Sequence, residues 1–309
     1  MGSSNILGIV GPTAIGKSGV ADLIARALTA EIVSADSMQI YRGMDIGTAK
    51  TPPHERSVPY HCIDLVSPGT PYSAALFQRD AREAIDALRG RETPAVLVGG
   101  TGLYVRAALD VMDFPQGKID TAVRTDLERR AATEGSDALH DELARLDPRS
   151  AALIHRNNTR RVIRALEMLS GGVSYADQAA GFTRRTFHYP DTMLVGLTTG
   201  RGDLYRQVDE RVDTMLANGL VDEVRGLLDL GFAGALTAVQ AIGYKEIVPV
   251  VRDGADLHTA IDDIKRSTRR YAKRQLTWFR ADPRIVWIDV TGLSVGDAAE
   301  RVLDLVESS

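Results

Sequence analysis

Short apolar runs alternate along this chain with longer stretches in which apolar residues return every three or four positions. The first pattern predicts buried strands and the second amphipathic helices. Ile6–Val10 reads as a strand and Lys17–Leu28 as a helix, with Val20, Ala21, Leu23, Ile24, Ala27 and Leu28 on one face. Ala30–Ala35 predicts a second strand and Tyr60–Leu65 a further short one. Ser73–Arg89 has helical spacing, with Ser73 a fitting N-cap. Pro94–Gly100 is a buried-type strand running into glycines.

From about residue 115 the rhythm changes. Helical patterns follow one another at Thr121–Thr133, Ser136–Leu146, Pro148–Ile154 and Asn158–Leu169, with a last short turn at Ser174–Ala180. Asp147 is placed to cap the helix that Pro148 starts, and Gly171-Gly172 ends the helix at Asn158–Leu169. Strand character returns at Met193–Leu197 and Arg284–Asp289. Helices are expected at Leu204–Leu216, Leu220–Leu230, Ala260–Phe279 and Val295–Val306, and a loop at Gly231–Leu236. Together with the G-x-x-x-x-G-K-S run at Gly11–Ser18, between the first strand and helix, the pattern predicts an α/β fold, a P-loop NTPase-like parallel sheet flanked by helices. Residues 1–114 and 188–309 form its core, and 115–187 an inserted all-helical subdomain.

Composition narrows the class. The chain has 309 residues, 44% hydrophobic and 25% charged, enough for a substantial core. Cys62 is the single cysteine, so no internal disulfide forms, which suits a reducing cytoplasm; it reads as a small semi-buried residue. No apolar stretch approaches the roughly 18–20 residues of a membrane span, and the N-terminus shows no secretory pattern. A monomer is the default. The net charge of −4 makes nucleic-acid binding a matter of local clustering. That clustering exists. Arg156, Arg160, Arg161 and Arg164 lie together. Arg266, Arg269, Arg270, Lys273 and Arg274 form a stripe on one helix, with Lys265 and Arg280 nearby. Trp278 and Phe279 read as core. The histidines are scattered and no zinc-type Cys/His set is present.

Candidate chemistry begins between the first strand and helix. Gly11, Pro12, Thr13, Ala14, Ile15, Gly16, Lys17 and Ser18 fit G-x-x-x-x-G-K-[ST] in the strand–loop–helix context a P-loop needs. Its glycines let successive N–H groups face phosphate oxygens, Lys17 adds a point charge, and the Ser18 hydroxyl can ligate Mg²⁺. The motif reports a bound di- or triphosphate without saying which. A small-molecule or nucleotide kinase, or a non-catalytic RNA-binding P-loop protein, therefore stands as an alternative. Asp36, at the end of the second strand, can hold the metal or accept a proton from a nucleophile; capping the next turn is its plainer role.

Further blocks make a resemblance specific. Asp36-Ser37-Met38-Gln39-Ile40-Tyr41 continuing to Lys50, His61–Asp64, Tyr72–Ala74, Val98–Tyr104, Arg160–Glu167, Ala241–Lys245 and Ala272–Trp278 follow the P-loop in one order. Together they resemble the tRNA dimethylallyltransferase (tRNA isopentenyltransferase) family across nearly the whole chain. The resemblance implies transfer of the dimethylallyl group of dimethylallyl diphosphate, with Mg²⁺, to the exocyclic amine of the adenosine just 3′ of the anticodon. It implies Asp36 as general base, Thr101 in contact with diphosphate and substrate, and Arg211 as a clamp on the diphosphate. It makes Asp36, Ser37, Met38, Gln39, Thr101, Arg124, Arg160, Arg161, Arg164, Gly243, Tyr244, Lys245, Lys273 and Arg274 tRNA contacts. The insert then grips the anticodon stem-loop. One departure is Gln207, where many members carry arginine.

Overall fold

The computed structural model describes residues 5–114, 121–183, 185–235 and 237–308. The chain forms two compact units, one of Met1–Asp110 with Phe187–Ser309 and one of Val111–Thr186. In chain order the elements are β1 (Ile6–Val10), α1 (Lys17–Ala27), β2 (Glu31–Ser34), β3 (Tyr60–His61), α2 (Ala74–Gly90), β4 (Ala95–Gly99), α3 (Gly102–Leu109), α4 (Thr121–Glu134), α5 (Ser136–Leu146), α6 (Pro148–Leu153) and α7 (Thr159–Ser170). There follow α8 (Tyr175–Gly181), β5 (Thr192–Thr198), α9 (Arg201–Ala217), α10 (Leu220–Asp229), α11 (Tyr244–Asp253), α12 (Leu257–Arg280), β6 (Ile285–Asp289) and α13 (Val295–Glu307).

The first unit is built on a parallel sheet of order β3-β2-β4-β1-β5-β6. Parallel strands need crossover helices, which cover both faces, so the strands carry continuous apolar runs. Every residue of β1 and β4 is buried. Leu7, Ile9, Ile32, Val96, Val195 and Leu197 of the sheet pack with Val20 and Ile24 of α1 and Val302 of α13. The strand after β1 lies beyond β4, while β5 lies on the other side, so the chain reverses direction around β1. The crevice that opens at such a reversal is where α/β sheets bind ligands. Val10 and Gly99, the last residues of β1 and β4, stand in register there with Gly196 of β5.

Asp110 marks where the chain leaves this unit. It pairs with Phe187 as an isolated antiparallel bridge. Its fully buried carboxylate takes Arg106 Nε and Arg284 Nη1, both at 2.7 Å. Within the second unit, Leu127, Leu139, Leu143, Val162, Ile163 and Leu166 form a separate core. Asp147 accepts the Ser150 N–H at 3.1 Å, so it caps α6 above Pro148 as its residue type predicts. The Ser150 hydroxyl bonded to it, backed by Ser174, holds its carboxyl below the usual range despite burial.

Two helices have no counterpart in the periodicity. α3 is buried from Tyr104 to Leu109, so it lacks the polar face that a helical period needs. α11 carries Pro249 in its interior, and an interior proline reads as a break. The strand expected over Tyr60–Leu65 shortens to two residues because Cys62 and Asp64 turn to φ 57° and 55°. Of the loop expected at Gly231–Leu236, residue 236 lies outside the described residues, and Phe232–Gly234 forms a 3-10 turn.

Candidate active site

β1 delivers the chain into the phosphate loop. Gly11 takes φ 145°, and a Cβ there would stand 2.7 Å from Leu197 O, so only a glycine passes β5 this closely. Ala14 and Gly16 then turn left-handed, at φ 69° and 85°, before α1 begins. A non-glycine residue in that region costs about 1–3 kcal/mol and persists where the surroundings impose it. The first-turn N–H groups of α1, with no intrahelical acceptor, face the concavity. Thr13 N–H does not: it donates to Gln275 Oε1 at 2.8 Å. Gln275, buried on α12, also donates to Gly100 O at 2.8 Å. A Cβ on Gly100 would lie 2.2 Å from that amide, so glycine there admits the strut between α12 and the loop.

Lys17 Nζ folds back onto Pro12 O at 2.5 Å. Burial, then the neighbouring Arg211 cation, pushes its pKa down to about 7, against the opposing pull of Asp36. Above pH 7 the free protein therefore carries a neutral Lys17, and below it a charged one. A diphosphate in the loop supplies the missing counter-charge and raises the pKa again. Diphosphate binding at pH 8 is thus expected to take up roughly one proton at this site, and at pH 6 almost none. Calorimetry in buffers of different ionisation enthalpy measures this, with Lys17→Arg, whose guanidinium stays charged, as the reference. Equal uptake by the two proteins at pH 8 would refute the assignment.

Two adjoining cavities share Asp36. The smaller, of about 160 Å³, is walled by Thr13, Ala14, Gly16, Lys17, Ser18 and Gln39. The larger, of about 440 Å³, is lined by Ser37, Met38, Val212, Met215, Ile264 and Arg274, with Gly243, Lys245 and Arg270 around them. Asp36, Thr48, Arg211 and Tyr271 border both. Asp36 Oδ1 accepts the Met38 N–H at 2.9 Å, which leaves its other oxygen available to the cavities. Burial lowers the pKa of Arg211, with Asp36 opposing. Burial, then Asp36, pushes Tyr271 up to about 12, so its hydroxyl remains a donor.

The loop after Asp36 is held from a distance. Glu223 on α10 accepts the N–H groups of Asp45, Ile46 and Gly47 at 2.9, 2.7 and 3.1 Å, and the Tyr244 hydroxyl at 2.6 Å. This seats Thr48, whose carbonyl accepts Arg211 Nη2 and Gln39 Nε2, both at 3.3 Å. Lys50, nearly inaccessible, ties Tyr41 O, Asp45 and Asp64 together. Glu223→Ala leaves four donors without their acceptor and should cost about 3 kcal/mol. It should also weaken the binding of inorganic diphosphate by loosening Arg211. Denaturant unfolding and calorimetry measure the two effects, and a variant of parental stability would contradict this role.

The structure places the other expected residues in different surroundings. Tyr244 is fully buried with its hydroxyl on Glu223, so its side chain supports the loop and does not reach RNA. Thr101 stands behind the cavity wall, its side chain hydrogen-bonded with Tyr271, which borders both cavities. It accepts the Ser37 N–H at 3.1 Å and donates to Ser37 Oγ at 3.2 Å, so it holds the turn carrying Asp36. Gln39 faces the phosphate side, bonded to Ser34 and Thr48. Trp278 is 43% exposed, against the expectation of core, while Phe279 is buried. The cationic stripe of α12 is divided: Arg270 and Arg274 face the larger cavity, while Lys265 and Arg269 pair with Asp213 and Asp209. Burial drives the Cys62 thiol up to about 12, away from thiolate chemistry. In the second unit, buried Glu167 draws Arg164 to 2.9 Å and Arg124 to 3.8 Å, and Arg160 and Arg161 are exposed. Gln275, Glu223 and Tyr271 had no signal of their own in the periodicity.

Fold and site together define a P-loop transferase. The chain matches the family described as IPP transferase over residues 39–282. It is 45% identical to the tRNA dimethylallyltransferase of Carboxydothermus hydrogenoformans, over 97% of each chain, and 46% identical to that of Geobacillus thermodenitrificans, over 94% of this chain and 91% of the other. The chain belongs to the tRNA dimethylallyltransferase family. Two solved structures are similar. The tRNA isopentenylpyrophosphate transferase of Bacillus halodurans is 40% identical with a TM-score of 0.71, covering 98% of this chain and 95% of that one. A eukaryotic dimethylallyltransferase acting on tRNA is 27% identical with a TM-score of 0.81, covering 98% and 79%. The kinase alternative gains no support from these relatives.

Proposed function

We infer that this chain transfers the dimethylallyl group of dimethylallyl diphosphate to the exocyclic N6 amine of the adenosine 3′-adjacent to the anticodon of certain tRNAs, releasing diphosphate. The observation that carries the reading is the position of Asp36, a carboxylate bordering both a phosphate-lined cavity and a larger, partly apolar one. The smaller cavity suits a leaving group and the larger suits an extruded base, which must quit its stack to be modified. As the bond from nitrogen to the allylic carbon forms and the carbon–oxygen bond breaks, Asp36 accepts the amine proton. Arg211, Lys17 and the first-turn amides of α1 face the charge that grows on the departing oxygens. Tyr271, kept protonated, adds a donor beside them.

The Ser18 hydroxyl is the residue offered to Mg²⁺. Among the described residues no group of three His, Cys, Asp or Glu side chains could hold a metal, so a hard cation held by Ser18 would draw further oxygen ligands from the diphosphate and water. When bound, it supplies further charge stabilisation to the leaving group. Arg274, Arg270 and Lys245 at the larger cavity, and Arg124, Arg160, Arg161 and Arg164 in the second unit, are the cations for the anticodon stem-loop. Single-stranded loops of this kind offer splayed bases to such a surface. Among the described residues no helix is long and apolar enough to cross a membrane.

The direct test is incubation with labelled dimethylallyl diphosphate, Mg²⁺ and unmodified tRNA. Label is expected in the tRNA. Label that stays out of it, or γ-phosphate transfer from ATP in its place, refutes the reading.

A further inference from the structure

Asp36 follows β2 and the phosphate loop follows β1, and β4 lies between those two strands in the sheet. The end of β4 and the two residues after it, Gly99, Gly100 and Thr101, therefore separate the base from the loop. They leave little room. A Cβ on Gly99 would stand 2.2 Å from Ala35 O, and Thr101 N–H donates to the same oxygen at 3.3 Å. On the other side, a Cβ on Gly100 would come within 3.6 Å of Gly11 O. One short stretch of backbone thus sets the spacing between the two halves of the site.

α12 closes over this stretch with two residues one turn apart, Tyr271 and Gln275. The Tyr271 hydroxyl is hydrogen-bonded with both Thr101 and Gln275. Thr101 in turn holds the N–H and Oγ of Ser37, beside Asp36, at 3.1 and 3.2 Å. At the other end Gln275 accepts the Thr13 N–H and donates to Gly100 O, both at 2.8 Å. An unbroken chain of hydrogen bonds runs Ser37–Thr101–Tyr271–Gln275–Thr13, from the turn that carries the base to the loop that carries the leaving group. Gln275, buried, bonds to the spacer and to the phosphate loop at once. A primary amide suits that position, since it offers one donor and one acceptor without charge. A carboxylate there would repel the diphosphate, and a cation would leave the Thr13 N–H without an acceptor.

We propose that Gln275 is a positioning residue for the transfer step: through Thr13 on one side and Tyr271 and Thr101 on the other, it fixes the separation between the phosphate loop and the Asp36 carboxylate. That separation decides whether the amine, with its proton facing Asp36, can approach the allylic carbon while the diphosphate departs on the far side. The role is one of alignment, exercised through neighbours, and it does not require Gln275 to exchange a proton. The proposal rests on the reading of the chain as a prenyltransferase and deepens it by naming the residue that keeps base and leaving group in register.

The test is the single-turnover rate of prenyl transfer at saturating dimethylallyl diphosphate and tRNA. Gln275→Leu removes both bonds and should slow the step about 10–100-fold, since a misplacement of about 1 Å can cost about 10²-fold. The tRNA affinity should stay parental, because Arg270 and Arg274 are untouched. Gly100→Ala displaces the same amide with a Cβ 2.2 Å from it, so it should slow the step equally, and the double variant no further. It also carries the test if Gln275→Leu does not fold. Gln275→Glu separates alignment from packing. Burial raises a carboxyl; its protonated form again offers a donor and an acceptor, while the ionised form cannot donate to Gly100 O. The rate of Gln275→Glu relative to the parent should therefore recover from pH 8 to pH 6, and that of Gln275→Leu should stay low. Lys17, Asp36, Tyr60, Arg211 and Tyr271, the ionisable groups bordering the same cavity, are common to both proteins, so the ratio isolates the new carboxyl. A parental rate in Gln275→Leu, a loss confined to diphosphate affinity, or a Gln275→Glu ratio flat in pH overturns the proposal and spares the function. A parent that modifies no tRNA overturns both.

Discussion

Asp36→Asn is expected to lower prenyl transfer by about 10²–10⁴-fold, the usual contribution of a positioned general base, while tRNA binding survives. The amide keeps the shape of the carboxylate and can still accept the Met38 N–H, now at 2.9 Å, so the turn leading into Ser37 stays in place. It cannot take up the amine proton. The substitution has a second consequence, because Asp36 is the group that favours the charged forms of both Lys17 and Arg211. Removing it drives Lys17 further towards neutrality, so the KM for the diphosphate substrate should rise more at pH 8 than at pH 6. Single-turnover rates with saturating tRNA separate the proton-transfer loss from the binding loss. A variant that transfers the prenyl group within tenfold of the parent would remove Asp36 from the role of base.

Lys17→Met is the second large effect. Methionine keeps an unbranched chain of similar reach and abolishes the charge. The leaving diphosphate gains negative charge as the carbon–oxygen bond breaks, and losing one donor aimed at such charge costs about 10²–10³ in kcat. Arg211 stands nearby, but it is anchored on Thr48 O and cannot occupy the loop. The tRNA affinity should be unaffected, since Lys17 lines only the smaller of the two cavities. A KM rise with kcat unchanged would mean that Lys17 binds ground state and transition state alike and adds nothing to the departure step.

Much of the architecture was legible from local pattern. The phosphate loop lies within one short stretch, and its conformation follows from glycines at the positions where Gly11 and Gly16 take positive φ. Ser73 and Asp147 cap their helices as their residue types predict. The continuous apolar runs announced a parallel sheet because only doubly covered strands can be apolar on both faces. Where a local pattern was silent, the reason is physical. α3 is buried from Tyr104 to Leu109 and so lacks the half-apolar rhythm that marks a surface helix, while α11 has that rhythm but carries Pro249 in its interior, which reads as a break.

The site was less legible. Gln275 reaches Thr13 across 262 positions and Glu223 reaches Ile46 across 177. Hydrogen bonds of that span leave no mark on spacing. Tyr244 and Trp278 show the same limit from the other side: family likeness placed the first at the substrate and residue type placed the second in the core. The fold turned the Tyr244 side chain inward and left Trp278 partly exposed.

Local sequence alone thus determined the strand, loop and helix that cradle phosphate, because backbone preference and the 3.6- and 2-residue periods act over a few residues. Only the assembled tertiary structure decided that Asp36 stands between two cavities, that Glu223 seats the loop after it, and that the cations of α12 divide between separate faces. Those outcomes depend on which distant segments meet, and the strand order around β1 settles that.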